Sequence, residues 1–187
     1  RQLVSKSPLI GGALDLFKCF DQIMRPLLYA VLRTAGLPTQ VLTAYINYQE
    51  HVKIYNSMNG ALGAAHQHPF GIPQGCPFSM VFVALLLRPW QLQMIALGAI
   101  PRTLADDLLL MAKGSRALHL FSVAFNATIE HLQDMGGKIA PKKSKIFATL
   151  TEHRQWLEAY LWPALQQTIS VVHQMRDLGA SLSTTFV

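Results

Sequence analysis

Two adjacent carboxylates, Asp106 and Asp107, lie between short apolar runs in the stretch Ile100-Pro-Arg-Thr-Leu-Ala-Asp-Asp-Leu-Leu-Leu-Met-Ala112. Runs of this length predict two strands with the aspartates at the tip of a β-hairpin. Neighbouring carboxylates repel each other and are costly beside apolar strands, unless a cation offsets both the repulsion and the desolvation. Oxygen ligands on a small rigid turn suit a hard divalent ion, magnesium foremost. By itself an Asp-Asp turn is ordinarily solvated surface, because Asp is common in turns.

Three further stretches carry chemistry. Asp15-Leu-Phe-Lys-Cys-Phe-Asp21 has the pattern D-x-x-K-x-F-D and places Asp15 at the end of a short strand, Leu9 to Leu14. Gly71-Ile-Pro-Gln-Gly-Cys-Pro-Phe-Ser79 is a loop rich in glycine and proline that runs into an apolar helix. Such a loop brings backbone N–H groups close to a ligand, and the helix N-terminus behind it favours phosphate. Lys138-Ile-Ala-Pro-Lys-Lys-Ser-Lys145 sets four lysines in eight residues before another strand. If the strands bearing Asp15 and Asp106 are neighbours, three carboxylates converge on one patch, which metal binding or strong pKa perturbation makes tolerable.

The elements that position these residues are legible in outline. Pro26 fits the first turn of a helix ending at Gly36-Leu-Pro38, and Thr39 suits the cap of a second. His51 to Tyr55 alternates like a strand, and Asn59-Gly60 signals a hairpin. A helix from about Phe78 to Leu97 contains Pro89, which should bend or divide it. Ser115 suits the cap of a helix whose Leu118, Phe121, Phe125, Ile129 and Leu132 recur at core-facing spacing. Ile146 to Thr149 reads as a strand, Glu152 to Gln167 as a helix broken at Pro163, and Thr168 to Met175 as a last strand turning at Arg176-Asp-Leu-Gly179. Strands and helices interleaved with antiparallel hairpins predict an α+β fold, helices packed on one face of a mostly antiparallel sheet.

Composition sets the bounds. The chain has 187 residues, 51% of them apolar, enough for one domain or a domain with a small appendage. A net charge of +6 and a pI near 9.6 favour a polyanionic partner such as nucleic acid. Cys19 and Cys76 are too few for a disulfide framework or a cysteine metal site, which suits a reducing compartment. His66 and His68 lack a nearby third ligand and read as hairpin surface. The longest uninterrupted apolar run, Met80 to Leu87, falls short of the roughly 18 residues of a membrane span, so no membrane partner is expected. Position 1 is Arg, and no stretch resembles a signal peptide, so the chain reads as part of a longer polypeptide with other domains.

Taken together, the four stretches resemble, in order and spacing, the palm of reverse transcriptases, over about residues 9 to 180. Asp15–Asp21 resembles the first palm motif, the loop 71–79 the second, Leu104-Ala-Asp-Asp107 the third and 136–145 the fourth, while Asp177-Leu-Gly179 stands where the primer-gripping hairpin has its Leu-Gly. The wording is most similar to non-LTR retrotransposons, with group II intron and retron enzymes as relatives. The resemblance implies a partial palm over 1–187, with a catalytic core at about 9–150, an insertion and primer-grip-like hairpin at 151–187, and fingers and thumb largely missing.

By the same resemblance, Asp15 and Asp106 hold two Mg²⁺ ions, with Mn²⁺ a possible substitute, and Asp107 plays a lesser part. The Leu16 carbonyl helps hold the nucleotide-side ion. Phe20 packs under the incoming sugar and excludes a 2′-hydroxyl, Gln74 and Gly75 lie against the incoming nucleotide, and Ser79 supports the template side. Lys143 lies near the pyrophosphate, where an ammonium neutralises charge or supplies a proton. The implied partners are an RNA template, a DNA primer and dNTPs, and the nucleus is a compartment suggested by analogy alone. Three residues depart from the pattern: Leu104 replaces the usual aromatic, Met80 the proline after the serine, and Ala140 a common asparagine. The isolated fragment is expected to be weak or inactive. Two other readings are a catalytically degenerate, palm-derived RNA-binding module and a viral RNA-dependent RNA polymerase, the latter disfavoured by a large residue at Phe20.

Overall fold

The computed structural model describes residues 7–177 and 180–184, with side chains described through 174 and at 183 and 184. Four strands form the central sheet: β1 (Leu9–Asp15), β4 (Ile100–Leu104), β5 (Asp107–Lys113) and β6 (Lys145–Ala148). Their order is β4-β5-β1-β6 and every pair is antiparallel. β1 is therefore an inner strand although it comes first in the chain.

Residues directly opposite each other in an antiparallel pair share a face of the sheet. Ile10 opposes Ala112 and Ala148, Gly12 opposes Leu110 and Ile146, and Leu14 opposes Leu108, and this row is buried. Two helices cover it, α4 (Pro77–Leu97) and α5 (Ala117–Asp134). Phe82, Leu86 and Trp90 from α4 meet Phe121, Phe125 and Ile129 from α5 in the core. The buried Trp90 Nε1–H donates to Thr128 Oγ1 at 2.9 Å, and that hydroxyl donates to the Ala124 carbonyl at 2.7 Å, so the polar pair is satisfied. The opposite face presents Leu104, Asp107 and Asp15 in one row and Arg102, Leu109, Ala13 and Lys145 in the next.

The remaining elements flank this core. The short α1 (Cys19–Gln22) follows β1, then come α2 (Arg25–Thr34) and α3 (Thr39–His51). The hairpin of β2 (Ile54–Met58) and β3 (Ala61–His66) turns at Asn59-Gly60, where φ is 51° and 81°, the positive pair that a two-residue turn requires. α6 (Thr151–Ala159) packs on β6, and β7 (Gln174–Asp177) pairs with β8 (Ala180–Ser183). Leu178 and Gly179, where a primer-grip turn is expected, lie outside the described residues.

Several elements differ from the sequence reading. Thr39 begins α3 instead of capping it, α5 starts after Arg116 without a side-chain cap, and His51 ends α3 instead of opening a strand. α4 runs undivided through Pro89, which lies on the solvent side, where water can satisfy the carbonyl its missing N–H would have bonded. α6 stops at Ala159, ahead of Pro163, and Trp162 turns inward to pack 4.0 Å from Phe125, ring to ring. Residues 168–173 form no strand of their own: Val171 makes an isolated parallel bridge with Ile146.

Among the described residues α4 is also long and apolar enough to cross a membrane, with a mean hydropathy of 1.6 over its best window, a third of which is buried here. An uninterrupted run, cut at Arg88, understated this.

Gly11 shows how tightly the sheet is built. A Cβ there would collide with the ring of Phe147, which lies directly opposite on the other face from the helices. Gly11→Ala is expected to cost about 1–3 kcal/mol by overpacking, measured as a lower urea midpoint, and Phe147→Leu in the same chain should restore part of the loss.

Candidate active site

The register that pairs β1 with β5 sets Asp15 directly opposite Asp107. Both carboxylates therefore rise from the face without helices, at the closed end of the β4–β5 hairpin. Asp106 occupies the turn beside them with Ala105, whose φ is +54°. A left-handed Ala costs of order 1 kcal/mol, a strain held in place by the paired strands on either side. Leu104, half exposed, pairs with Asp107 and stands on the same face.

Asp15 is gripped through its backbone by the basic loop. Its carbonyl accepts from the Ala140 N–H at 2.8 Å, and its N–H donates to Ser144 Oγ at 3.2 Å. The Ser144 hydroxyl, fully buried, donates in turn to the Ala140 carbonyl at 3.0 Å. Ala140 makes its contact to Asp15 through the main chain, so this bond does not need the asparagine side chain. Between these anchors the Lys143 ammonium lies 3.9 Å from Asp15 Oδ2.

The same loop fixes the direction of Leu16. Phe17 N–H donates to the Lys138 carbonyl and Ala140 N–H to the Asp15 carbonyl, which flank a non-hydrogen-bonded pair, Leu16 opposite Ile139. The N–H and C=O of Leu16 therefore point away from the loop, to the β5 side. One step beyond the Asp15–Asp107 pair, that side is the Asp106 turn.

The glycine loop is bound to the segment that follows Asp15. Gly71 N–H donates to the Ile23 carbonyl and Ile72 N–H to the Phe20 carbonyl, at 2.8 and 2.9 Å. Gly71 has a φ of +85°, and a Cβ there would sit 3.0 Å from the backbone of Asp21 and Phe20, so conformation and space both demand glycine. Arg25, almost fully buried, donates from Nε to the Gly71 carbonyl and from Nη1 to the Gln49 carbonyl, each at 2.8 Å. Gln74 and Gly75 are exposed at the tip of the loop. Gln74 lines a cleft of about 570 Å³ together with Lys18, Asp21, Arg25, Tyr48 and His68. Ser79 is buried and its hydroxyl donates to the Pro73 carbonyl at 2.7 Å, which fixes the shape of the loop from inside. Phe20 is half-buried in α1 against the core.

Thus Asp15, Asp106, Asp107, Leu16 and Lys143 meet at one end of the sheet, while Phe20, Gln74 and Gly75 belong to the neighbouring loop assembly. Sequence reasoning missed Ser144 and Arg25. A small hydroxyl residue directly before a strand was the available signal for Ser144, whereas a buried Arg at a helix start has none.

The oxygens at this end of the sheet, carboxylate and carbonyl, are of the type that a hard divalent ion takes. Among the described residues no three His, Cys, Asp or Glu side chains are gathered closely enough to hold a metal ion as they stand. The cation beside Asp15 in this structure is the Lys143 ammonium. Cys19 reports the local field: burial first, and the nearby Asp106 carboxylate second, push its thiol up to about 12.

An α+β sheet of this order, carboxylates on a hairpin and a glycine loop beside it, is a polymerase-palm-like fold. The fold is shared with apo telomerase from Candida tropicalis truncated from the C-terminal domain, at a TM-score of 0.62 and 13% identity, over 95% of this chain and 34% of that one. This chain thus spans about a third of that protein. No curated protein matches it in sequence. The family model of reverse transcriptase (RNA-dependent DNA polymerase) matches residues 5–181, and the chain belongs to that family.

The Cys19 environment makes a pH-dependent prediction. With its thiol pKa raised from 9.0 to about 12, the folded chain keeps Cys19 protonated where the unfolded chain ionises. This stabilisation is complete below pH 9 and is lost as pH rises toward 12. In a Cys76→Ser chain, alkylation of Cys19 at pH 9 is expected to be at least about tenfold slower folded than in denaturant; equal rates would contradict the assignment.

Proposed function

We propose that this chain is the catalytic palm of an RNA-directed DNA polymerase of a retroelement, adding dNTPs to the 3′-hydroxyl of a DNA primer on an RNA template. Its core spans about residues 9–150, and 151–187 comprise an insertion and a primer-grip-like hairpin. The observation that carries this reading is the register that opposes Asp15 to Asp107 with Asp106 in the adjoining turn. Members of the family generally use divalent metal ions, and the oxygen donors here suit Mg²⁺ or Mn²⁺. Two such ions, when bound, supply the charge that activates the attacking 3′-hydroxyl and stabilises the leaving oxygen of the α-phosphate.

The chain's own residues do the rest. Asp15 and Asp106 are the principal ligands, the Leu16 carbonyl supports the nucleotide-side position, and Asp107 has the lesser part. Phe20, five residues beyond Asp15, closes the space beside the sugar and so selects a deoxynucleotide. Gln74 and Gly75 border the incoming nucleotide from the loop, and Ser79, which maintains the loop's shape, supports the template side. Lys143 holds a proton at Nζ for the leaving pyrophosphate and offsets the charge that develops there.

Primer extension on an RNA template with the full-length protein tests this. Asp106→Asn is expected to reduce incorporation by roughly a hundredfold or more while RNA binding persists. Undiminished incorporation would overturn the ligand assignment, and binding with no incorporation by the unaltered protein would favour a non-catalytic module. Phe20→Ala is expected to admit rNTPs, and an unchanged preference would remove Phe20 as the gate.

A further inference from the structure

Arg25 is a cation in the first turn of α2, where the helix dipole disfavours positive charge, and it is only 5% exposed. Nothing in α2 itself calls for a guanidinium there. We propose that Arg25 is a positioning residue for nucleotide binding: its guanidinium ties the glycine loop to the end of α3 and so sets the affinity with which Gln74 and Gly75 meet the incoming nucleotide. The inference rests on the proposed place of Gln74 and Gly75 beside that nucleotide.

A buried charge is tolerated where hydrogen bonds replace its water. The fork of Arg25 is spent on main-chain oxygens of two segments distant in the chain, Nε–H on the Gly71 carbonyl and Nη1–H on the Gln49 carbonyl, each at 2.8 Å. Glu50 Oε1 is 3.8 Å from Nη1, is about half exposed and also accepts from the Tyr29 hydroxyl at 2.7 Å, so the carboxylate is the lesser partner. Gln49 lies in the last turn of α3, where the final carbonyls lack intrahelical partners and carry the negative end of the dipole. Its neighbours find other donors: the Tyr48 carbonyl accepts from the Val52 N–H at 2.9 Å, and the Glu50 carbonyl from the Gln67 amide at 3.4 Å. The Gln49 carbonyl is met by Arg25.

These two bonds join the start of α2, the end of α3 and the glycine loop. Gly71 is held through both its backbone groups, the N–H by Ile23 and the carbonyl by Arg25, and the Ile72 N–H is held by Phe20. The Pro73 carbonyl accepts from Ser79 within the loop. Gln74 and Gly75 therefore leave directly from an anchored run, in which the Gly71 carbonyl is fixed by a side chain from outside the loop. An ammonium cannot replace the guanidinium, because Lys presents its donors on one nitrogen whereas the planar fork spans two carbonyls. Losing the fork frees the near end of the loop and leaves the bonds of Ala140 and Ser144 to Asp15 as they are.

Single-nucleotide incorporation by the full-length protein, with dNTP varied on a fixed RNA template and DNA primer, reads out this role. Arg25→Lys is expected to raise the KM for dNTP about three- to tenfold, a share of what a buried charge-assisted bond is worth, with kcat within about twofold. A lower kcat at unchanged KM, the mark of a smaller folded fraction, would overturn the positioning role, as would unchanged kinetics. Glu50→Gln, which leaves both carbonyl bonds in place, should keep the KM of the unaltered protein; a rise as large as that of Arg25→Lys would overturn the fork as its source. Amide hydrogen exchange in the same protein needs no catalysis. Arg25→Lys should speed exchange at the Gly71 and Ile72 N–H groups while Phe121 to Ile129 stay protected as before. Faster exchange throughout would make Arg25 an element of global stability and overturn the proposal. Local loosening in a protein that, unaltered, incorporates no nucleotide would instead overturn the polymerase reading and, with it, the role at the nucleotide.

Discussion

The structure depends on holding two like charges opposite each other. Asp15 and Asp107 are direct partners across an antiparallel pair, an arrangement that disfavours pairing. It persists because β1 is fixed from both sides. Along β5 the apolar row of Ile10, Gly12 and Leu14 against Ala112, Leu110 and Leu108 sets the register, and a slip of one residue would turn that row out of the core. On the other side Ala140 and Ser144 bind both backbone groups of Asp15. The burial of the core thus holds the two acidic residues side by side at the strand ends.

The division of labour follows. The sheet and its two covering helices form the rigid part, with the Trp90–Thr128 hydrogen bond joining α4 to α5 inside the core. The candidate site residues outside the strands lie on connections: Asp106 in a two-residue turn, Gln74 and Gly75 on the glycine loop, and Lys143 on the basic loop. Each connection is anchored to the strand or helix it serves. The glycine loop is bonded to Phe20 and Ile23 and to the buried Arg25, so Gln74 and Gly75 are referenced to the same chain segment as Asp15. Binding groups on loops held by a stiff scaffold can close on a ligand without disturbing the core.

Much of this was readable in the sequence because local rules sufficed. Asn59-Gly60 announced its turn, the Phe121–Phe125–Ile129–Leu132 stripe its helix, and the apolar runs around Asp106 their hairpin. The glycine and basic loops were readable as loops from their glycine, proline and lysine content. What was not readable was decided by tertiary packing. No local signal placed β1 between β5 and β6, because pairing partners far apart in the chain are selected by how the faces bury. Pro89 looked like a break, yet it lies on the solvent side of a helix whose opposite face is locked by Phe82, Leu86 and Trp90. Trp162 pulled the chain out of α6 earlier than Pro163 suggested, since its indole fills the space beside Phe125. Ser144 and Arg25 escaped notice for a related reason: their partners are backbone groups of distant residues, which leave no pattern of side chains to find.

The divalent-ion site proposed at the end of β1 and the β4–β5 hairpin is open to direct mapping. Fe²⁺ substituted for Mg²⁺ in the full-length protein, with ascorbate and peroxide, generates radicals that cut the backbone beside the bound ion. Cuts are expected only in the neighbourhoods of Asp15 and of Asp106-Asp107, suppressed by excess Mg²⁺ and lost in Asp15→Asn. Cuts elsewhere, or cuts at one segment without the other, would contradict it.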